Sequence, residues 1–308
     1  MRLALVGQLG AAERQSWLTA LQAALPQAEW VEAQPGAEVD VALVANPPPG
    51  SLRGLTGLQL IQSLWAGVDR LLADDTLPPG VPIARMVDPA MSTAMAETAL
   101  WAVLSLHRGF FDYARQQREG VWKHLPQRRT DEVGVTVLGL GEMGLAAARR
   151  LVAQGYRVAG WSARPRSEPG IECVSGDAEL PALLARSEIV VNLLPLTPAT
   201  RGLFDAARLS LLPQGASLVN LARGGHVVEA DLLAALDAGR LRHAVLDVFQ
   251  AEPLAADHPF WTHPRVTVLP HAAALTDARS AAEVAAQNVR AVLAGELPLH
   301  RVESGRGY

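Results

Sequence analysis

The stretch Val133-Gly-Val-Thr-Val-Leu-Gly139-Leu-Gly141-Glu-Met-Gly144, followed by the helix-patterned Leu145–Gln154, decides the fold of this chain. An apolar run enters a glycine-rich turn and leaves it as an alanine-rich helix, which is how a protein holds a dinucleotide pyrophosphate. Gly139 permits the tight turn, Gly141 lets the backbone approach the phosphates, and Gly144 lets the helix pack close to its strand. The unpaired N–H groups and the positive end of the helix dipole then face the anion. Glu142 and Met143 stand at the same turn. A lone G-x-G-x-x-G is a weak signal, because glycines punctuate many turns. The strand before it and the helix after it supply the context that makes it informative.

The next strand, Tyr156–Trp161, should end at the adenosine ribose. An acidic residue there would accept hydrogen bonds from the free hydroxyls of NAD. The chain instead reads Trp161-Ser162-Ala163-Arg164-Pro165-Arg166, with no carboxylate and two guanidiniums. A hydroxyl and arginines bind a 2′-phosphate with charge-assisted hydrogen bonds, whereas a carboxylate repels it. The expected cofactor is NADP(H), with NAD(H) a possible alternative.

A chain of 308 residues with 49% hydrophobic content accommodates two domains with sizeable cores. A net charge of −4 gives no reason to expect a nucleic-acid or anionic-membrane partner. The one cysteine, Cys173, excludes an intramolecular disulfide and fits a reducing compartment, so a cytoplasmic location is expected. Met1–Val6 reads as a first strand and not as a signal peptide, and no run reaches membrane-spanning length. His258 and His263 lack a convincing third ligand, so no metal is expected.

Strand patterns at Leu3–Val6, Val41–Ala45, Leu58–Ser63 and Ile83–Met86 precede a long helical pattern from Ala94 to about Gln117. Further strands are predicted at Ile189–Leu194, Ser217–Asn220, Ala244–Asp247 and Val266–Leu269, with helices at Asp231–Ala238 and Ala278–Ala294. This alternation predicts an α/β protein with parallel sheets covered by helices on both faces. The dinucleotide motif begins in mid-chain, so the preceding residues must form an α/β unit of their own.

Three polar residues follow strands in the second half. Arg223 lies in Asn220-Leu-Ala-Arg-Gly224, Glu252 in Asp247-Val-Phe-Gln-Ala-Glu-Pro253, and His271 in Leu269-Pro-His-Ala-Ala273. Ligands in open α/β sheets bind outside the carboxyl ends of strands, so the three can converge beside a nicotinamide. Singly, each also reads as an ordinary turn, surface or capped residue.

These segments, with Gly139–Gly144 and Asn192-Leu-Leu-Pro-Leu-Thr197, resemble the D-isomer-specific 2-hydroxyacid dehydrogenases along nearly the whole chain. Leu64-Trp-Ala-Gly-Val-Asp69, the Trp161-Ser162 strand end, Asn220–Glu229 and the terminal Arg306-Gly-Tyr308 are most similar to the family's NADPH-preferring glyoxylate and hydroxypyruvate reductases. The resemblance implies two Rossmann-like, doubly wound parallel-sheet domains with the active site in the interdomain cleft. Residues 1–95, completed by 279–308, would form the substrate domain, and 96–278 the dinucleotide-binding domain. It also implies a homodimer formed through the cofactor domain.

The implied activity is reduction of small 2-keto acids to 2-hydroxy acids by hydride transfer. A cation must bind the substrate carboxylate and polarise the carbonyl, which suits the forked donors of Arg223. His271 is the expected general acid, and Glu252 orients it and stabilises its imidazolium form. Backbone N–H groups of Ala66, Gly67 and Val68 would also meet the carboxylate. Trp65 beside them either caps the pocket or packs in its wall. Leu194, Pro195, Leu221 and Ala222 would line the cofactor, and Asp247 would accept from its carboxamide. Met91 and Met95 are read as core in preference to substrate contacts. An NAD-dependent D-lactate or phosphoglycerate-type dehydrogenase, or a dinucleotide-sensing binding protein on the same scaffold, remain the alternatives.

The strand-end reading sets a first expectation. NADPH outcompetes NADH as reductant in steady-state assays, and Arg164→Ala narrows the difference by roughly tenfold, the worth of one charge-assisted hydrogen bond. An NADH preference in the native protein contradicts the reading.

Overall fold

The computed structural model describes residues 1–303, so the Arg306-Gly-Tyr308 signature lies outside the described residues. Two compact units are present, one of Met1–Met91 with the segment from Thr276 onward, the other Ser92–Leu275. The elements run in chain order as β1 (Arg2–Gly7), α1 (Ala11–Ala24), β2 (Glu29–Trp30), β3 (Val41–Ala45), β4 (Leu60–Ser63), α2 (Asp69–Leu72) and β5 (Ile83–Ala84). Then come α3 (Pro89–Arg108), α4 (Phe110–Glu119), β6 (Gly134–Leu138), α5 (Glu142–Ala153), β7 (Arg157–Ser162), β8 (Ile171–Ser175) and α6 (Leu180–Leu184). The chain closes with β9 (Ile189–Asn192), α7 (Ala206–Leu211), β10 (Ala216–Asn220), α8 (Glu229–Asp237), β11 (Leu241–Leu246), β12 (Val266–Val268) and α9 (Ala278–Leu293).

In the first unit the strands pair in parallel in the order β2-β1-β3-β4-β5. Ala4, Val6, Ala42, Val44 and Ile61 form the buried cluster on one face of this sheet. α9 belongs to this unit and supplies Ala281, Ala282, Ala285, Ala286 and Val289 to its interior. A fully buried amide pair anchors it: Asn288 Nδ2 donates to Gln62 Oε1 at 2.7 Å, and its Oδ1 accepts from the Leu299 N–H at 2.8 Å. Burial of two amides is tolerable here because each finds a partner.

The second unit carries an all-parallel sheet in the order β12-β11-β10-β9-β6-β7-β8. Its central strands β6, β9 and β10 are almost wholly buried and largely apolar, as expected when both faces are covered. The period-2 alternation divides them cleanly. Val135, Val137, Val191, Val219 and Val245 face one core, with Ala99, Val103, Leu106, Ala147 and Leu151 from the helices. Leu138, Val190, Leu218, Ala244 and Leu246 face the other, with Leu183, Leu209, Leu232 and Leu236. Met91 and Met95 are buried, and Cys173 is partly buried against the first of these cores.

A helix break and a pair of edge strands depart from the sequence expectation. The long helical pattern is broken into α3 and α4 by Gly109, whose φ of +71° is a left-handed conformation that ends a helix. The strands β2 and β8 had no sequence signal, because they are sheet edges and only Ile171 among their side chains is buried. Among the described residues no helix is long and apolar enough to cross a membrane.

His243 on β11 tests the packing of this unit. It is stacked on Phe111 at 4.4 Å and bonded through Nε2 to Thr267 Oγ1 at 2.9 Å, and burial pushes its pKa down to about 4. The unfolded chain therefore binds this proton more readily than the folded one. The stability at stake is full above pH 6.5 and is lost as pH falls toward about 4. Denaturant titrations across that window should show the native protein losing up to roughly 3 kcal/mol, and His243→Gln should flatten the curve. An identical slope in the variant contradicts the assignment.

Candidate active site

The register of the large sheet brings its functional loops to one edge. Leu138 pairs with Asn192, Asn192 with Asn220, and Asn220 with Leu246, so the strands end level. Each following residue continues the ladder: Leu193 N–H donates to Leu138 O, Leu221 to Asn192 O, Asp247 to Asn220 O, and Leu269 to Leu246 O. The strand order reverses between β6 and β9, and that is where the glycine turn meets the Leu193–Pro195 loop.

Each motif glycine has a distinct physical necessity. Gly139 adopts a φ of +97°, and a Cβ there would stand 2.7 Å from Leu193 O. A Cβ at Gly144 would stand 1.7 Å from Gly139 O, so α5 packs directly on its own turn. A Cβ at Gly141 would meet no atom of the protein within 4 Å. Open space at the start of α5 fits a pyrophosphate, as the N–H groups of the first helical turn lack intrahelical partners. Glu142 is exposed in that turn, while Met143 is partly buried against the core behind it.

At the end of β7 the Ser162 hydroxyl donates to Arg164 O at 2.7 Å, shaping the loop. Arg166 Nη1 donates to Leu140 O at 2.5 Å and ties this loop to the glycine turn. Arg164 is exposed and has no ion-pair partner among the described residues. One arginine therefore builds the loop and the other is available to a phosphate. Leu194, Leu221 and Ala222 are buried in the loops after β9 and β10, and Pro195 lies beside them.

Glu252 and His271 are brought together. His271 Nδ1 lies 2.7 Å from Glu252 Oε2, and the other carboxylate oxygen accepts from Phe249 N–H at 2.9 Å. His271 Nε2 has no protein partner among the described residues, and the side chain is 51% exposed, so the ring presents this nitrogen to a ligand. The tautomer with the proton on Nδ1 is the one this carboxylate selects.

Asp247 fixes the turn that carries His271. Its carbonyl accepts from the His271 N–H at 2.9 Å, and its carboxylate oxygens accept from Ala272 N–H at 2.7 Å and Ala273 N–H at 3.1 Å. The side chain is almost fully buried; burial pushes its pKa up, while those two N–H groups and nearby His271 pull it down. Arg223 follows β10, and its backbone carbonyl accepts from Asn220 Nδ2 at 3.0 Å. Gly224 after it is packed so tightly on Phe249 that a Cβ would stand 1.8 Å from that carbonyl carbon. This close approach sets the Arg223 turn against the Phe249–Glu252 segment.

The turn Trp65–Val68 is built within the other unit. Ser63 Oγ donates to Trp65 O at 2.9 Å and accepts from Trp65 N–H at 3.1 Å. Trp65 packs edge-on against buried Trp17, with ring centroids 6.0 Å apart, and so is part of the wall of its unit. The N–H groups of Ala66, Gly67 and Val68 find no acceptor among the described residues, which leaves a row of donors suited to a carboxylate.

A profile of the D-isomer specific 2-hydroxyacid dehydrogenase NAD binding domain matches residues 100–273. The glyoxylate/hydroxypyruvate reductase A of Yersinia enterocolitica is 39% identical over 306 residues, covering 96% of this chain and 97% of that one. The chain belongs to the D-isomer-specific 2-hydroxyacid dehydrogenase family. Within that family, a crystal structure of the Xanthobacter autotrophicus protein in complex with NADPH and MES superposes with a TM-score of 0.94 at 44% identity, covering 99% of each chain. The NADPH-dependent glyoxylate/hydroxypyruvate reductase of Sinorhizobium meliloti, in complex with NADP and sulfate, gives 0.92 at 34% identity, covering 100% of this chain and 99% of that one.

Some site-building residues of this family member were not singled out from the sequence. Asn192 Nδ2 donates to Asn220 Oδ1 at 2.9 Å, locking together the ends of β9 and β10. Thr98 Oγ1 on α3 donates to Ala273 O at 2.7 Å and supports the His271 turn. The signal available was the repeated Asn-Leu pair at both strand ends; Thr98 gave none.

The glycine geometry makes a paired prediction. Gly144→Ala lowers the thermal midpoint, because an overpacked site costs roughly 1–3 kcal/mol of stability, whereas Gly141→Ala leaves it near native. In binding titrations Gly141→Ala nonetheless weakens NADPH. Native NADPH affinity in Gly141→Ala contradicts the assignment of that space to the cofactor.

Proposed function

We propose that this protein reduces short 2-keto acids, glyoxylate and hydroxypyruvate foremost, to 2-hydroxy acids at the expense of NADPH. The observation that carries this reading is the Glu252–His271 pair, with Nε2 left open, on the same sheet edge as the Gly141 space. The protein is an oxidoreductase that binds NADP(H), with NAD(H) a compatible second cofactor. Gly139, Gly141 and Gly144, with Glu142 and Met143 at the same turn, would hold the pyrophosphate, and Ser162 and Arg164 would receive the 2′-phosphate. Leu194, Pro195, Leu221 and Ala222 would line the cofactor, and Asp247 would accept from its carboxamide.

The bound cofactor supplies a hydride to the carbonyl carbon of the substrate. Arg223 binds the substrate carboxylate and draws electron density toward the carbonyl oxygen. His271 delivers a proton from Nε2 to that oxygen as charge develops on it. Glu252 accepts the Nδ1 proton, holds the ring in place and stabilises its imidazolium form. The small residues Ala66 and Gly67 would let their N–H groups approach a carboxylate closely.

We assign the chain to a cytoplasmic homodimer. The single thiol suits a reducing compartment. Trp122 at 94% exposure, with Trp101 and Phe110 also exposed, supplies apolar surface for a second copy in the cofactor unit.

Arg223→Ala should lower kcat/KM for glyoxylate by roughly 10²–10³-fold while leaving NADPH affinity near native, since its effect lies on the reacting carbonyl. His271→Ala should remove most turnover and change the pH–rate profile. Native-like turnover in either variant contradicts its role.

A further inference from the structure

β4 lies between β3 and β5 in the smaller sheet, and all four of its residues are buried. A strand so placed is ordinarily apolar to its end, yet this one finishes in Gln62 and Ser63. Gln62 is engaged within the unit: its amide accepts from Asn288 and donates to the Ser63 carbonyl at 2.8 Å. Ser63 turns its hydroxyl along the chain, onto both polar main-chain groups of Trp65. Donating to Trp65 O and accepting from Trp65 N–H uses the hydroxyl's one proton and one of its lone pairs.

Trp65 O also accepts from the Met86 N–H at 3.1 Å, so its two lone pairs are both taken. A peptide group is planar and trans, and its C=O and N–H point in opposite directions. The group that carries Trp65 O also carries the Ala66 N–H. Two donors on Trp65 O, one a side chain and one the main chain beyond β5, therefore fix the Ala66 N–H on the far side of that peptide. The Trp65 ring is held separately, edge-on against buried Trp17 on α1. The Ala66 N–H is the first of the three in the turn that find no acceptor among the described residues.

We propose that Ser63 is a positioning residue for the substrate: its hydroxyl sets the plane of the Trp65–Ala66 peptide and so aims the Ala66 N–H at the substrate carboxylate. The inference rests on the reading of the Ala66–Val68 turn as the place where that carboxylate is met. A carboxylate keeps its charge throughout hydride transfer, so its donors hold the substrate and the transition state alike. Loss of aim therefore raises KM and leaves kcat in place. With alanine at position 63, the Met86 N–H alone holds Trp65 O and the Trp65 N–H has lost its acceptor. The peptide can then turn, and a carboxylate must spend part of its binding energy on setting it straight.

The test compares Ser63→Ala and Ser63→Thr with the native protein. Ser63→Ala should raise KM for glyoxylate, and the dissociation constant of the unreactive 2-keto acid analogue oxamate, each about tenfold, the worth of one charge-assisted hydrogen bond. Its kcat and its NADPH affinity should stay near native, and Ser63→Thr, which keeps the hydroxyl, should recover most of the loss. Native KM and oxamate affinity in Ser63→Ala overturn the proposal. So does a fall of kcat and NADPH affinity in step with the rise in KM, which is what general loosening of the unit would give. A second arm needs no variant. In amide NMR of the native protein saturated with NADPH, the Ala66 proton signal should move downfield when oxamate is added, and an unmoved signal overturns the proposal. Failure of the native protein to reduce any 2-keto acid defeats the functional reading; native turnover with an indifferent Ser63→Ala defeats this inference alone.

Discussion

The site depends on one buried carboxylate. Asp247 collects three successive N–H groups, from His271 through its carbonyl and from Ala272 and Ala273 through its side chain. A chain held at three consecutive donors has little conformational freedom left, and His271 is driven to a φ of +54°. For a residue with a Cβ that conformation costs roughly 1–2 kcal/mol, and the three bonds offset it. The strained residue aims its ring at Glu252. Strain of this kind persists only where the surroundings over-determine it, which is characteristic of functional positions.

The sheet makes that arrangement reproducible. Level strand ends put Gly139, Leu193, Leu221, Asp247 and Leu269 in one row, so a dinucleotide turn and a proton-donating pair share an edge. The Asn192–Asn220 bond locks the middle of the row, and the contact of Gly224 with Phe249 locks the Arg223 turn to the Glu252 segment. Gly139, Gly144 and Gly224 mark places where two backbones nearly touch. Among the three glycines of the dinucleotide motif, Gly141 alone has nothing of the protein beside it, at the start of α5.

Much of this was legible in the sequence because buried parallel strands are long apolar runs and the glycine spacing carries its own geometry. The parallel two-sheet architecture, the NADP(H) cofactor and the family followed from those residues. Edge strands β2 and β8 were not legible, because an edge buries too little to impose a pattern. Neither was the break at Gly109, since a single glycine is compatible with a continuing helix until tertiary contacts decide. Asp247 was read as a cofactor contact, and its bonds to Ala272 and Ala273 were invisible because they join residues 25 and 26 positions apart. His226 drew no notice, because nothing in Arg223-Gly-Gly-His226 tells that both ring nitrogens will face carbonyls.

The central claim is that this edge of the sheet reduces a short 2-keto acid with NADPH. The most direct test is the initial rate of NADPH oxidation by the purified protein with glyoxylate, hydroxypyruvate, pyruvate and 2-ketoglutarate in turn. The account predicts rapid oxidation with glyoxylate and hydroxypyruvate and slower oxidation with the other two. No oxidation above the rate without substrate, for any of the four, would contradict it.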